Sequence, residues 1–149
     1  MASVPINTQI AQMLNNYSDL SIRYDYRSIR DSPIKHHYLA TKDGIVVGVV
    51  GIHRFNTHVS EIKHLVVPPN LRRHGLAKRL VELALRDTPT PLAMSSVREG
   101  NVASLNLLTK LGFKVVDKYM SKEGRSILIL LKNLSQQERA DETKSELQK

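Results

Sequence analysis

The stretch from residue 65 to residue 77, Leu-Val-Val-Pro-Pro-Asn-Leu-Arg-Arg-His-Gly-Leu-Ala, decides how the chain is read. Leu65, Val66 and Val67 are β-prone and run into Pro68 and Pro69, which stop a strand, while Leu76 opens an amphipathic run. A strand that turns directly into a helix leaves the first helical N–H groups without partners. It also aims the positive end of the helix dipole at the turn, and the two together make an anion site. Gly75 lets phosphate oxygens approach the main chain, and Ala77 keeps the first turn slim. Arg72, Arg73 and His74 add donors and charge at the mouth. The spacing is neither that of a Walker loop nor that of a dinucleotide fingerprint.

Outward from this turn, residues 59–67 read as a strand and residues 76–86 as a helix with Leu76, Leu80, Leu83 and Ala84 on one face. Residues 92–97 read as a further strand. Asn101 can cap a helix bearing Val102, Leu105, Leu108 and Leu111, which Gly112 closes. Two β runs follow, residues 113–120 and 126–132, around Lys122-Glu123-Gly124. Upstream, residues 37–41 and 45–55 are β-rich and separated by Asp43-Gly44, a hairpin signal. Ile6, Ile10, Met13 and Leu14 predict a helix after Pro5, and residues 20–35 carry no assignable pattern beyond a turn at Asp31-Ser32-Pro33. Strands alternating with helices between flanking hairpins predict an α/β or α+β fold with a mixed sheet. Residues 1–134 are expected to form one domain, and the polar tail 135–149 to be frayed or disordered.

The chain has 149 residues and no cysteine, which excludes disulfides, cysteine-zinc sites and a cysteine acyl carrier, so any acyl transfer would be direct. With no apolar run long enough to span a membrane and no export-like start, a cytoplasmic protein without membrane partners is expected. Lys and Arg total 22 against 14 Asp and Glu, a net charge of +8, which favours an anionic ligand or partner or serves as a solubilising surface. Zero Trp and two Phe disfavour a dedicated single-strand nucleic-acid binder. Six histidines include the adjacent pair His36-His37, with His53, His58 and His64 near one another. None shows ligand spacing with a carboxylate partner, and no metal site is expected.

Arg72-Arg73-His74-Gly75-Leu76-Ala77 resembles the signature R/Q-x-x-G-x-G/A of the GNAT superfamily of N-acetyltransferases. Residues 101–113 look like its second motif, an Asn, a small residue three further on (Ser104), and a helix ending in Leu-Gly-Phe. The resemblance covers about residues 38–132. It implies a mixed, mostly antiparallel sheet with a V-shaped splay, flanked by helices, and acetyl-CoA as co-substrate. Leu65, Val66 and Val67 would lend main-chain hydrogen bonds to the pantetheine arm. Arg72, Arg73, His74, Gly75, Leu76 and Ala77 would hold the pyrophosphate, and Asn101 and Ser104 would steady the cofactor. The product implied is an acetylated amine on a peptide, a protein or a small molecule.

Glu61 matches the position where many relatives place a glutamate base, six residues before Val67. An attacking amine with a pKa of about 10.4 needs its proton removed. Period-two geometry predicts Glu61, Lys63, Leu65 and Val67 on one face, and a solvent-facing Glu61 paired with Lys63 is the plainer alternative. Many relatives carry a tyrosine where this chain has Leu108, so water, Ser104, Tyr119 or another tyrosine would protonate the thiolate. That departure keeps open a catalytically weak acyl-CoA-binding or interaction module. Arg23, Arg27, Arg30 and Lys35, in a stretch that borders the acceptor cleft in this family, keep open an acceptor that is nucleic acid or bound to it. Self-association as a homodimer through strand edges is also compatible with the resemblance.

Overall fold

The computed structural model describes residues 4–18 and 22–134. The tail 135–149 assigned above lies outside them. The elements are helices α1 (Ile6–Tyr17), α2 (Tyr26–Arg30), α3 (Leu76–Asp87) and α4 (Val102–Lys110), and strands β1 (Ile34–Ala40), β2 (Val46–Arg54), β3 (Val59–Val66), β4 (Leu92–Arg98), β5 (Lys114–Met120) and β6 (Ser126–Asn133). The sheet has six strands in the order β1-β2-β3-β4-β6-β5. A parallel register pairs Val59, Ser60 and Glu61 with Leu92, Ala93 and Met94, whereas β1–β2, β4–β6 and β5–β6 are antiparallel. The fold is therefore mixed α/β and mostly antiparallel.

The chain divides into two compact units, one of Met1–His53 with Ile62–Asp87 and one of Arg54–Glu61 with Thr88–Lys149. In the first, Ile10, Ala11, Met13 and Leu14 of α1 and Ile29 of α2 pack on Val46, Val49 and Val66. Helix α2, which the apolar pattern misses, starts at a capping box in which Asp25 and Ser28 each bond the other's backbone N–H. Between α1 and α2, Asn15 holds Tyr24 by accepting from its N–H and donating to its carbonyl, both at 2.8 Å. The hairpin is the one expected, with Gly44 at φ +80, and its register slips by one residue between Leu39 and Ala40, placing Val46 with the α1 core. On the other face α3 buries Leu80, Val81 and Ala84. Val81 thus joins the buried set, and Leu76 and Leu83 are only half-buried.

In the second unit, Ser60 and Thr90 share a buried hydrogen bond of 2.9 Å, and Thr90 donates on to the Leu92 carbonyl. Helix α4 begins at Asn101, whose side chain accepts from Ser104 N–H. It ends in a Schellman arrangement in which Phe113 N–H bonds Leu108 O and Gly112 N–H bonds Thr109 O, with Gly112 at φ +96. Of the four apolar residues predicted for its packed face, only Leu108 is buried, and Val102 is 61 % exposed. A repeat of three drifts off a 3.6-residue helix. Strand β5, at the end of the sheet order, exposes all seven of its residues.

Close packing makes Gly48 sensitive to any added atom, because a Cβ there would stand 2.7 Å from Cδ1 of the fully buried Leu80. Gly48→Ala is expected to cost about 1–3 kcal/mol, the usual size of an overpacking penalty. Gly100→Ala, where a Cβ meets nothing within 4 Å, should leave the midpoint of urea unfolding unchanged. Equal midpoints for the two variants would refute the packing assigned to β2 and α3.

Candidate active site

The turn between β3 and α3 is built from backbone first. Val67 and Pro68 are buried, and Pro69–Leu71 forms one 3-10 turn closed by Leu71 N–H on Pro68 O at 2.9 Å. Arg72 folds back, its Nε donating to Val67 O at 3.2 Å. Arg73 then takes φ +70 and Gly75 φ +75. A Cβ on Gly75 would meet no atom within 4 Å, so the glycine answers a backbone demand and leaves open space above it. The first intrahelical bond runs from Arg79 N–H to Gly75 O, so the N–H groups of residues 75–78 have no partner within the helix. Arg72, Arg73, His74, Lys78 and Arg79 are exposed around them, and none is in an ion pair among the described residues. Open main chain, left-handed residues that converge N–H groups and unpaired cations suit a ligand with several phosphates.

Upstream, the strand does not keep the period-two geometry expected of it. His64 takes φ +55, a left-handed conformation uncommon for a side-chain-bearing residue. Beyond this kink Val66 enters the α1–α2 core. Val67 turns instead toward Gly48, its Cγ2 3.4 Å from where a Cβ on that glycine would stand. One face shared by Glu61, Lys63, Leu65 and Val67 is therefore not what the backbone builds. Leu65 is half-buried in the first unit. Glu61 lies in the second unit, half-buried at the last pair of the parallel register, between the buried Ser60 and Ile62.

Asn101 and Ser104 come together in the cap of α4, Ser104 N–H donating to Asn101 Oδ1 at 3.2 Å. Asn101 is exposed and Ser104 half-buried. Leu108 is 3 % exposed, a core residue where a proton donor was sought. The basic stretch 23–35 is also divided. Arg30 forms a bidentate pair with Asp31, and Lys35 pairs with Asp87 of α3 at 2.8 Å, leaving Arg23 and Arg27 as its exposed charges without an ion pair among the described residues.

A pair that sequence separation concealed lies at the kink. His36 of β1 and His64 of β3, 28 residues apart, meet with Nε2 and Nδ1 at 3.1 Å and rings near-parallel. Tyr24 packs edge-on against His64, ring centres 5.6 Å apart. Gly51 lies opposite His36 in the β1–β2 register, and a Cβ there would stand only 2.6 Å from Ile34 Cγ2 and in ordinary contact, at 3.4 Å, with His36 Cδ2 and Lys63 O. Burial pushes both imidazoles down to about 4, helped at His36 by His37 and at His64 by His36, Lys63 and His53. Among the described residues no group of three metal-ligating side chains comes together.

Residues 7–113 match the model of the acetyltransferase (GNAT) family. Three solved structures have the same fold: the NatC complex bound to Gag peptide and CoA, the ribosomal-protein-S18-alanine N-acetyltransferase of Escherichia coli, and the aminoglycoside 6'-N-acetyltransferase of Enterococcus faecium. They superpose with TM-scores of 0.69, 0.69 and 0.70 at 22 %, 16 % and 13 % identity. The alignments cover 87 %, 90 % and 87 % of this chain and 91 %, 92 % and 90 % of those. No curated protein matches. No helix among the described residues is long and apolar enough to cross a membrane.

The histidine pair sets a pH window for stability. In the unfolded chain both rings titrate near 6.5 and in the native protein near 4, so the unfolded state binds more protons between those values. Stability is then complete above about pH 6.5 and declines as pH falls toward 4. Carboxylates held low by their partners, such as Asp87 and Glu99, add losses only below about 4.5. Thermal unfolding of wild type should show this decline from pH 7 to 5, and His36→Leu should flatten it. An equally steep decline in the variant would assign it to other groups.

Proposed function

The chain belongs to the acetyltransferase (GNAT) family, an enzyme that uses acetyl-CoA, and from that premise we propose that it moves the acetyl group directly onto an amine. The observation that carries the reading is the turn Arg73–Ala77, with left-handed Arg73 and Gly75 and the unpaired start of α3. In this reading those amides and Arg72, Arg73 and His74 hold the pyrophosphate. The main chain of Leu65, Val66 and Val67 binds the pantetheine arm, and Asn101 and Ser104 keep the cofactor-steadying role that family membership gives them.

The amine must lose protons as its nitrogen bonds to the thioester carbon. Glu61 is the base assigned here, directly or through water. The thiolate leaves without help from residue 108, since leucine has no proton to give. A thiol with pKa of about 8.5 is a tolerable leaving group, and water can return its proton. With no cysteine in the chain, no thiol acyl-enzyme forms. The acceptor is an amine of a peptide, a protein or a small molecule, and the enzyme acts in the cytoplasm.

Saturating acetyl-CoA, at about 100 times its dissociation constant, adds about 2.7 kcal/mol to stability, which for a chain of this size is a rise of about 5–10 °C in Tm. Gly75→Glu, which fills the open space and brings a like charge to the phosphates, should abolish the rise. Glu61→Gln should retain it while kcat on any accepted amine falls about 100-fold. No rise in the wild type at saturating acetyl-CoA would defeat the reading.

A further inference from the structure

The His36–His64 pair has no part in the chemistry above. Two neutral imidazoles carry one N–H each, and the bond between His36 Nε2 and His64 Nδ1 uses one of them. The buried His36 Nδ1 has no hydrogen-bond partner. If His36 held its proton there, a buried N–H would go unsatisfied, which native proteins almost never tolerate, whereas a bare lone pair is the lesser cost. His36 therefore carries its proton on Nε2 and donates to His64 Nδ1. His64 must then carry its own on Nε2, which has no partner among the described residues. Surrounding charge keeps the pair in this neutral form, since His37, His53 and Lys63 all oppose an added proton.

His64 also stands at a particular point along the strand. A co-substrate whose pyrophosphate lies at residues 73–77 and whose arm runs back along Val67 to Leu65 brings its thioester end toward residue 64. There the chain accepts a left-handed side-chain-bearing residue, clamped between His36 and a Tyr24 that Asn15 fixes on both sides of its backbone. Such cost and such fixation at one ring point to a role for its orientation.

We propose, on the reading that the chain is an acetyl-CoA-dependent amine acetyltransferase, that His64 is an acceptor-recognition residue whose Nε2–H, set by His36, bonds an oxygen adjacent to the reacting amine. The acceptor is then an amine with a neighbouring carbonyl or ether oxygen, as in a peptide N-terminus or an amino sugar. A polyamine is selected against, because its protonated nitrogens offer this donor nothing to bond. His36 is a positioning residue, acting through His64.

The test compares an alanyl-glycine amide, glucosamine and putrescine as acceptors with saturating acetyl-CoA, which separates the two oxygen sources from each other and from a plain diamine. Wild type should favour one of the oxygen-bearing acceptors. His64→Leu should cut kcat/KM for that acceptor about 10- to 100-fold, the loss of one well-made hydrogen bond, and leave the KM for acetyl-CoA unchanged. His64→Gln, which keeps an N–H donor, should recover most of the loss. His36→Leu removes the donor that sets the His64 tautomer, so kcat/KM for that acceptor should fall while the KM for acetyl-CoA again stays unchanged, and the His64 ring should no longer be held in one tautomer. Nitrogen-15 spectra of the imidazoles read the tautomer without turnover, and a proton on His64 Nδ1 would overturn the proposal. So would a preference for putrescine, or a His64→Leu loss equal for all three acceptors. Absence of any thermal response to acetyl-CoA would instead bring down the functional reading itself, and this inference with it.

Discussion

Helix α3 begins with four main-chain N–H groups that have no partner inside the helix, and the surrounding sequence is arranged to keep them so. Ser, Thr, Asp or Asn at the cap would have answered one of them with a side-chain oxygen. Gly75 stands there instead, exposed and left-handed, with Arg73 left-handed two residues before it. Two prolines end the strand, and Arg72 is tied back to Val67 O, so the loop is held by contacts that do not use those amides. An unsatisfied group at the surface is solvated and costs little, and a phosphate ligand replaces that water with charge-assisted bonds. The same economy explains why Lys78 and Arg79, on the first turn of α3, are left without ion pairs among the described residues while Arg30 and Lys35 elsewhere are paired.

Much of this was legible in the chain because it rests on local chemistry. The hairpin at Asp43-Gly44, the proline stop, the glycine of the turn and the cap at Asn101 are each decided by a residue whose backbone preference is strong. Failures came where a long-range contact or an added residue intervened. Helix α2 is five residues long, too short for periodicity, and only the Asp25–Ser28 box marks it. The kink at His64 breaks the alternation that placed Glu61 and Val67 together, and no glycine announces it, since a histidine fills the left-handed position. The meeting of His36 with His64 depends on the strand pairing that sets His36 opposite Gly51, which one-dimensional spacing cannot carry. The Glu61 assignment stays as the sequence made it, resting on its position within the family pattern.

The Leu-Gly-Phe ending of α4 acquires a physical meaning from its hydrogen bonds. Gly112 takes the left-handed position of a Schellman cap, and Phe113 and Leu108 are the residues that such a cap brings into apolar contact. Both are buried, at 1 % and 3 % exposure. Lys132 strengthens the closure by donating to Leu111 O at 2.6 Å, a cation at the negative end of the helix. Residue 108 is thus occupied as part of the helix stop. Exchanging it for a tyrosine would bury a hydroxyl in need of a partner, so the proton for a departing thiolate must come from elsewhere.

Charge distribution bears on the acceptor. A net charge of +8 suggested a polyanionic partner, yet two of the four cations in the basic stretch 23–35 are already bound to Asp31 and Asp87. Those pairs are exposed and add little stability, but they remove the even row of charge that a nucleic-acid backbone would track. The cations at the phosphate turn are different, since a bound coenzyme would itself neutralise several of them. What remains is a modest positive field, which disfavours a cationic acceptor without requiring a polyanionic one. If His64 faces the acceptor as proposed, its one fixed neutral donor would discriminate more sharply than diffuse charge, because its loss would leave a specific group unpaired.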